Sequence, residues 1–177
     1  MRKLILFFVF ILVTVFTVNA QKPAEKASSF SIGAELGLPS GTAADAWGLG
    51  FGASLKYALP LSTDLALTAS AGYISYGGKT FAGTKFPAWN TIPLKAGLKY
   101  KVGGSAFSLE PQVGYTLGSM TGLSSSDVSG FTWAFGAGYQ FSQLIDLGVR
   151  YESFGGKGAT TSADRFNIIG VRLGFNF

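Results

Sequence analysis

Chemically reactive side chains are few in this sequence. It contains no histidine and no cysteine, which removes the commonest general base, the thiolate nucleophile and the usual nitrogen and sulfur ligands of zinc. Serine is plentiful, as in the run Ser124–Ser126, but a serine hydroxyl needs an activating partner before it acts as a nucleophile. No spacing singles out a serine–lysine pair, so the sequence predicts no catalytic residue.

Carboxylates are the only remaining candidates for metal ligands, and they are scattered. Asp45, Asp127 and Asp164 each stand alone in a separate predicted loop, whereas a cation site needs several oxygen ligands together. The glycines of Gly48–Gly52 alternate with apolar residues, and a period of two belongs to a strand rather than to a phosphate-binding loop. We therefore predict neither a metal nor another cofactor.

The charged residues that can act together lie on one side of an alternating pattern. From Trp47 to Leu59 the odd positions are apolar or aromatic and the even positions are small or charged. This is the period of a β-strand with one apolar face. By the same parity, eight charged residues lie on the face opposite the aromatic side chains: Glu35, Lys56, Lys95, Lys99, Glu110, Arg150, Glu152 and Arg172.

These charges predict ion pairs inside a barrel. Closure between the first and last strands brings Glu35 near Arg172, and neighbouring fourth and fifth strands bring Lys95 or Lys99 near Glu110. A buried charge is tolerated only when it is paired and hydrogen-bonded. We expect a network of salt bridges that fills the lumen as a plug, because eight strands enclose little more than their own side chains. The alternative is a gate whose rearrangement opens a narrow conduit.

Eight strand-like segments must position these residues, most of them near the roughly 9–11 residues that cross a bilayer. They are Phe30–Leu38, Trp47–Leu59, Leu65–Tyr76, Thr91–Lys101, Ala106–Leu117, Phe131–Phe141, Ile145–Phe154 and Phe166–Phe177. Long connections (39–46, 77–90, 118–130 and 155–165) alternate with short ones (60–64, 102–105 and 142–144). Gly103 and Gly104 suit a tight turn with positive φ. The pattern predicts an all-β fold, an eight-stranded antiparallel up-and-down transmembrane β-barrel.

The apolar face indicates that the barrel is turned toward lipid. Aromatic residues gather near both ends of the strands, as in the two interface girdles of membrane barrels: Trp47, Tyr57, Tyr73, Tyr100, Tyr115, Trp133, Tyr139 and Tyr151. A soluble barrel of the lipocalin kind keeps its apolar face inside. Here the opposite face is rich in glycine and poor in charge, which would make a poor soluble surface.

Two prolines do not fit regular strands. Pro93 and Pro111 fall inside the fourth and fifth predicted strands, and a closed barrel has no edge on which to hide a missing N–H. We expect a bulge or another local distortion there, or a misplaced strand boundary.

The N-terminus has the features of a secretory signal peptide. Arg2 and Lys3 precede an apolar run from Leu4 to Val18, and small residues follow up to Ala20. An uncleaved anchor is the alternative. Removal of residues 1–20 lowers the formal charge from +5 by the two charges of Arg2 and Lys3, to +3, too little to indicate a nucleic-acid partner. We predict a periplasmic N-terminal arm at 21–29 and a barrel at 30–177.

Over residues 30–177 the chain resembles the small eight-stranded bacterial outer-membrane β-barrels of the OmpA/OmpX type. The resemblance rests on the signal peptide, the eight amphipathic segments and the C-terminal alternation of Val171, Leu173, Phe175 and Phe177. It implies that the outer-membrane assembly machinery reads this C-terminal signal. It also implies a bacterial outer-membrane location, long loops outside, both termini in the periplasm, and contact with lipid and lipopolysaccharide. The chain has no periplasmic domain after Phe177, so we expect no peptidoglycan tether.

The resemblance does not choose among functions, since the family includes porin-like, adhesive, structural and enzymatic barrels. Enzymatic members use a histidine base, which this sequence lacks. We expect a non-enzymatic protein with a packed lumen and a structural or surface-loop interaction role. A porin-like narrow channel for small solutes is the alternative. Among the loops, Gly77–Asn90 combines lysines with aromatic residues and is the candidate contact for lipopolysaccharide or a surface partner.

Overall fold

A computed structural model of the protein describes residues 28–41, 43–81, 84–122, 129–156 and 165–177. Eight long strands in these ranges form one closed barrel. The predicted signal peptide, most of the predicted arm, Ser124–Ser126, Asp127 and Asp164 lie outside the described residues. No described helix combines the length and apolar character needed to span a bilayer.

The barrel is antiparallel and up-and-down, as predicted. Its strands are β1 (Ser29–Ser40), β2 (Trp47–Pro60), β3 (Leu65–Gly78), β6 (Trp89–Lys101), β7 (Phe107–Met120), β8 (Gly130–Gln140), β9 (Ile145–Gly155) and β10 (Arg165–Asn176). Each pairs with its neighbours along the chain, and β1 pairs with β10 to close the barrel. Connections after β1, β3, β7 and β9 leave from one end, here called the long-loop end. The other end, where β1 begins and β10 finishes, is the short-turn end.

Two small elements stand in long connections that the sequence pattern treated as loops. A four-residue helix, α1 (Ala43–Ala46), precedes β2. A two-stranded hairpin, β4 (Thr80–Phe81) and β5 (Thr84–Lys85), lies between β3 and β6. At the short-turn end, a 3₁₀ turn at Val102–Gly104 places Gly103 and Gly104 at φ of 59° and 68°. The positive φ values explain why this turn requires glycine.

The alternation of the sequence becomes the two faces of the barrel wall. Outward apolar residues are exposed, for example Phe51 at 60% and Leu55 at 57%, while inward residues such as Thr68 and Arg172 are at most 4% exposed. An apolar outer wall around a polar interior is the arrangement of transmembrane barrels.

Both prolines interrupt one ladder each and leave the register unchanged. Between β3 and β6 the pairing runs to Ala71–Leu94 and resumes at Ile74–Thr91, which skips Pro93. On its other side Pro93 stays paired with Thr116. The β6–β7 ladder likewise skips Pro111, which keeps its pairing with Phe135 in β8. A proline has no N–H, so each one loses its pairing with one neighbouring strand and keeps its pairing with the other. This is the expected local distortion, and it occurs without a bulge.

The assignment of Trp47 to an outer aromatic girdle is wrong. The β2–β3 register shifts between Trp47 and Gly50, so the parity that places Phe51 outside does not extend back to Trp47. Its indole is 6% exposed and lies inside the barrel. The other seven residues of the predicted girdles point outward: Tyr73, Tyr100, Tyr115, Trp133, Tyr139 and Tyr151 are exposed, and Tyr57 packs on Phe30 at a ring distance of 4.8 Å. Their position at lipid interfaces stays a prediction.

Candidate functional site

A cluster of packed rings, here called the aromatic plug, fills the long-loop end of the lumen: Trp47, Tyr76, Trp89, Phe154 and Phe166. Trp89 is central. Its ring centroid lies 5.0 Å from Tyr76, 5.3 Å from Trp47, 5.4 Å from Phe166 and 5.5 Å from Phe154. Such distances are those of attractive aromatic pairs. Trp89 and Tyr76 are 1% exposed and Phe154 is 0% exposed, so the rings leave little room for water between the loops and the lumen.

Hydrogen bonds hold part of the plug and leave one donor free. The Trp47 Nε1–H donates to the carbonyl of Pro87 at 3.1 Å. Trp89 Nε1 is the one buried side-chain polar atom in the described part of the chain without a hydrogen-bond partner. An unsatisfied buried donor costs roughly 1–3 kcal/mol. The stacking around Trp89 must therefore offset this cost.

Sequence reasoning missed the plug because it assigned Trp47 to the outer face and left Trp89 in the predicted loop Gly77–Asn90. The signal was nevertheless present, since Tyr76 shares the even parity of the inward Thr68 in β3. Phe154 likewise shares the parity of Arg150 and Glu152 in β9, and Phe166 that of Arg172 in β10. At this end of the lumen, the position of a residue in the alternating pattern decides that its side chain points inward, and its aromatic character does not.

Below the plug, charged side chains form a continuous series, here called the ion-pair chain: Lys95, Glu152, Arg150, Glu35, Arg172 and Asp146. Lys95 Nζ contacts Glu152 Oε2 at 2.5 Å. Arg150 then bridges two carboxylates, with Nε 3.1 Å from Glu152 Oε2 and Nη1 2.8 Å from Glu35 Oε2. These groups lie deep in the lumen, where each charge depends on its partners because water is scarce.

The lower part of the chain passes from Glu35 to the short-turn end. Arg172 Nε lies 3.6 Å from Glu35 Oε1, and Arg172 Nη1 lies 3.3 Å from Asp146 Oδ1. Hydroxyls complete the coordination, since the Ser54 Oγ–H donates to Glu35 at 2.5 Å and Arg172 Nη2 donates to Ser31 Oγ at 2.7 Å. The hydroxyl groups in this region are thus engaged by charged groups.

All eight predicted lumen charges point inward, and the structure brings Glu35 and Arg172 together as register partners. Arg150 is nevertheless the nearer partner of Glu35. Asp146 was missed, although it shares the inward parity of Arg150 on β9.

The predicted contact of Lys95 or Lys99 with Glu110 is wrong. Lys95 reaches across the lumen to Glu152, and Glu110 accepts from Lys56 Nζ at 2.7 Å, Thr68 Oγ1 at 2.8 Å and Gln112 Nε2 at 2.9 Å. Lys56 and Glu110 stand on β2 and β7, which are not neighbours in the wall. In so narrow a barrel, long side chains choose partners across the lumen, and pairing between adjacent strands does not predict those partners.

A small cavity of about 50 Å³ remains in the short-turn half of the lumen. Lys56, Lys99, Ser108, Glu110 and Asp146 are among the residues that line it. Its volume suffices for a few water molecules. Within the described ranges, no group of three acidic side chains is placed to hold a metal ion.

Comparisons with known proteins agree with this geometry. A family model described as "Outer membrane protein beta-barrel domain" matches residues 8–177. Two solved structures are similar with 18% identity: Ail of Yersinia pestis, with a TM-score of 0.58 over 87% of this chain and 100% of that chain, and the N-terminal β-barrel of Pseudomonas aeruginosa OprF, with 0.59 over 86% and 100%.

The fold is also shared with an enzyme. The outer membrane enzyme PagL is similar with 15% identity and a TM-score of 0.52, over 81% of this chain and 97% of that chain. No curated protein matches the chain. At these identities the likeness concerns the fold alone, so the role of the barrel has to be argued from its own residues.

Proposed function

Because the chain belongs to the outer membrane protein beta-barrel domain family, which implies the bacterial outer membrane, we propose that it is a non-enzymatic integral barrel with a closed lumen. Its role is structural or is carried by the long loops. The observation that carries this proposal is that two barriers follow one another along the lumen: the aromatic plug, and the ion-pair chain beneath it.

The two barriers oppose ion passage in different ways. An ion that enters from the long-loop end meets Trp89 and its neighbours, which offer it no hydration. Beyond them, Lys95, Glu152, Arg150 and Glu35 join β6 to β9 and β1 across the lumen. An eight-stranded barrel has little width beyond its own side chains, and the space left beside this chain is a cavity of about 50 Å³. Passage would therefore require both barriers to rearrange.

A non-enzymatic role follows from the polar groups that the lumen presents. Ser31 and Ser54 bind the guanidinium of Arg172, and Thr116 and Thr132 bind each other at 2.6 Å. Ser54 also donates to the Glu35 carboxylate, but Arg150 and Arg172 already bind that carboxylate, which makes it a weaker base. These side chains support a non-enzymatic role, whereas the fold is shared with an enzyme.

We further propose that the long-loop end faces outside and both termini face the periplasm. Long loops on one end and tight turns on the other support this orientation. Lys79 and Lys85 are exposed beside the mouth, and Lys79 Nζ also donates to the carbonyl of Ala44 at 2.6 Å. Exposed cations at an anionic surface suit contact with lipopolysaccharide or with a surface partner.

The C-terminal alternation suits recognition during assembly. Leu173, Phe175 and Phe177 are 54%, 48% and 71% exposed on the outer wall, and Val171 shares their parity. We assign to these residues the signal that the outer-membrane assembly machinery reads. Substitution of Phe177 with serine is expected to lower the amount of folded barrel in the membrane without changing its lumen.

Conductance in a planar bilayer tests the closed lumen. The barrel is refolded, shown to be folded by its heat-modifiable migration on gels, and inserted at neutral pH in moderate salt. Silence is expected. Steady openings that change when Glu35 or Arg172 is neutralised would support the second candidate, a porin-like channel, which the cavity below the ion-pair chain favours.

A further inference from the structure

The lumen charges do not balance. Between the aromatic plug and the rim of the short-turn end, the described residues contribute five inward cations and four inward carboxylates: Lys56, Lys95, Lys99, Arg150 and Arg172 against Glu35, Glu110, Asp146 and Glu152. All four carboxylates contact a cation within 4 Å. Lys99 is the cation that has no such partner in the described part of the lumen.

The register explains why Lys99 is left over. It stands on β6 opposite Glu110 of β7, between the pairs Gly97–Gln112 and Tyr100–Leu109. Glu110 nevertheless forms its ion pair with Lys56, and Thr68 and Gln112 also bind its carboxylate. The counter-charge opposite Lys99 in the ladder is therefore occupied, and Lys101, two residues further on, adds another cation toward the rim.

Lys99 lines the same cavity that remains in the short-turn half of the lumen. The cavity is also lined by Ser70, by Ser108, which donates to the carbonyl of Gly138, and by Gln112, which donates to Glu110. Gly136 and Gly138 line it as well and take up little space. The three carboxylates on its wall, Glu35, Glu110 and Asp146, are already paired with Arg150, Lys56 and Arg172. A partly buried cation that lies among polar groups and carboxylates already paired with other cations favours a bound anion.

We propose that this cavity binds a small inorganic anion, of the chloride or phosphate class, with Lys99 as the residue that holds its charge. The volume of about 50 Å³ excludes larger organic anions. Access is from the short-turn end, because the aromatic plug covers the other end. The site does not depend on whether the barrel conducts, so failure of this proposal and failure of the closed-lumen proposal are separate results.

Thermal unfolding of the folded barrel in detergent tests the site. Heat-modifiable gel migration gives the midpoint in chloride, in phosphate and in gluconate, an anion too large for the cavity, all at one ionic strength. For the wild type we expect a saturable rise of about 2–4 °C in the anion that fits, relative to gluconate. Comparison of chloride with phosphate tells which anion the site takes.

Variants separate the site from general salt effects. Lys99→Gln is expected to lose the anion-dependent rise, and Lys99→Arg, which keeps the charge, to retain most of it. Lys85→Gln makes the same charge change on an exposed residue at the other end of the barrel. In detergent without lipopolysaccharide, the anion-dependent rise of this variant should equal that of the wild type. Equal midpoints of the wild type in all three salts, or a rise that persists in Lys99→Gln, would overturn the proposal.

A measurement on the wild type alone covers the case in which Lys99→Gln does not fold. Titration of the ¹⁵N-labelled barrel with the same salts should shift the amide resonances of Gly97, Ser108 and Gly138 saturably. The amide of Gly78, at the long-loop end, should not move. Absence of saturable shifts near the cavity, or equal shifts at both ends, would mean that only water surrounds Lys99 and would refute the anion site.

Discussion

The two halves of the lumen are filled by different kinds of interaction. In the long-loop half, four rings pack around Trp89 and exclude water by their shape. In the short-turn half, charges exclude passage by binding one another, from Lys95 through Arg150 to Arg172. We expect ring packing to tolerate an approximate replacement of a partner, whereas a network of buried charges depends on each member.

The largest expected effect comes from breaking the ion-pair chain at its centre. Arg150 bridges Glu35 and Glu152. Arg150→Met therefore leaves Glu35 with only the longer contact to Arg172, and leaves Glu152 with Lys95 alone. Removal of one member of a buried pair costs about 3–5 kcal/mol. We expect a loss of this size in the free energy of unfolding, measured by urea titration of the barrel in lipid vesicles.

The matched control for that variant removes the charges together. In Arg150→Met with Glu35→Gln and Glu152→Gln, the carboxylates no longer need the arginine, although Lys95 and Arg172 lose part of their pairing. Recovery of at least half of the lost stability is expected. A triple variant that is less stable than Arg150→Met alone would contradict the dependence of the carboxylates on Arg150.

The next effect sharpens the contrast at the plug. Trp89→Ala removes the ring that contacts the other four and should cost about 3 kcal/mol of unfolding free energy, as large-to-small changes of buried aromatics do. Trp89→Phe keeps a stacked ring and also removes the unsatisfied Nε1–H, so its cost should stay below about 1 kcal/mol. Equal losses for the two variants would mean that a phenyl ring cannot replace the indole, and would contradict the tolerance expected of ring packing.

A smaller effect is expected where charges lie nearer to water. Glu110 and Lys56 are 13% and 17% exposed in their side chains, more than the members of the Lys95–Glu152 pair. Lys56→Met leaves Glu110 with the hydroxyl of Thr68 and the amide of Gln112, so a loss of about 1–2 kcal/mol is expected. The same urea titration measures it. A loss as large as that of Arg150→Met would contradict the expectation that ion pairs near the rim contribute less to the free energy of unfolding than those at the centre of the lumen.

Sequence alone predicts the barrel but not the contents of its lumen. A period of two fixes the strands, the outward face and the closure that places Glu35 opposite Arg172, because these depend on local backbone geometry. The partners of Lys95 and Glu110 depend instead on distances across the closed barrel, between strands that do not touch. Trp47 fails for another reason, since a single register shift beside Gly50 reverses the face that parity assigns.

The anion site and the small hairpin illustrate the same limit. Lys99 appears as one more lumen charge in the sequence, and its lack of a partner emerges only after Glu110 is seen to bind Lys56. The β4–β5 hairpin is too short for an alternating pattern to reveal. Which cation pairs with a carboxylate depends on competing side chains from several strands, and no single segment of the sequence encodes that outcome.

Single-channel conductance of Trp89→Ala and of Arg150→Met, recorded beside the wild type, tests whether each half of the lumen blocks passage independently. All three proteins are first shown to be folded by heat-modifiable migration. We expect silence from the wild type and from both variants, because each variant keeps one of the two barriers. Steady openings from either folded variant would contradict independent closure, since the remaining half would then be no barrier.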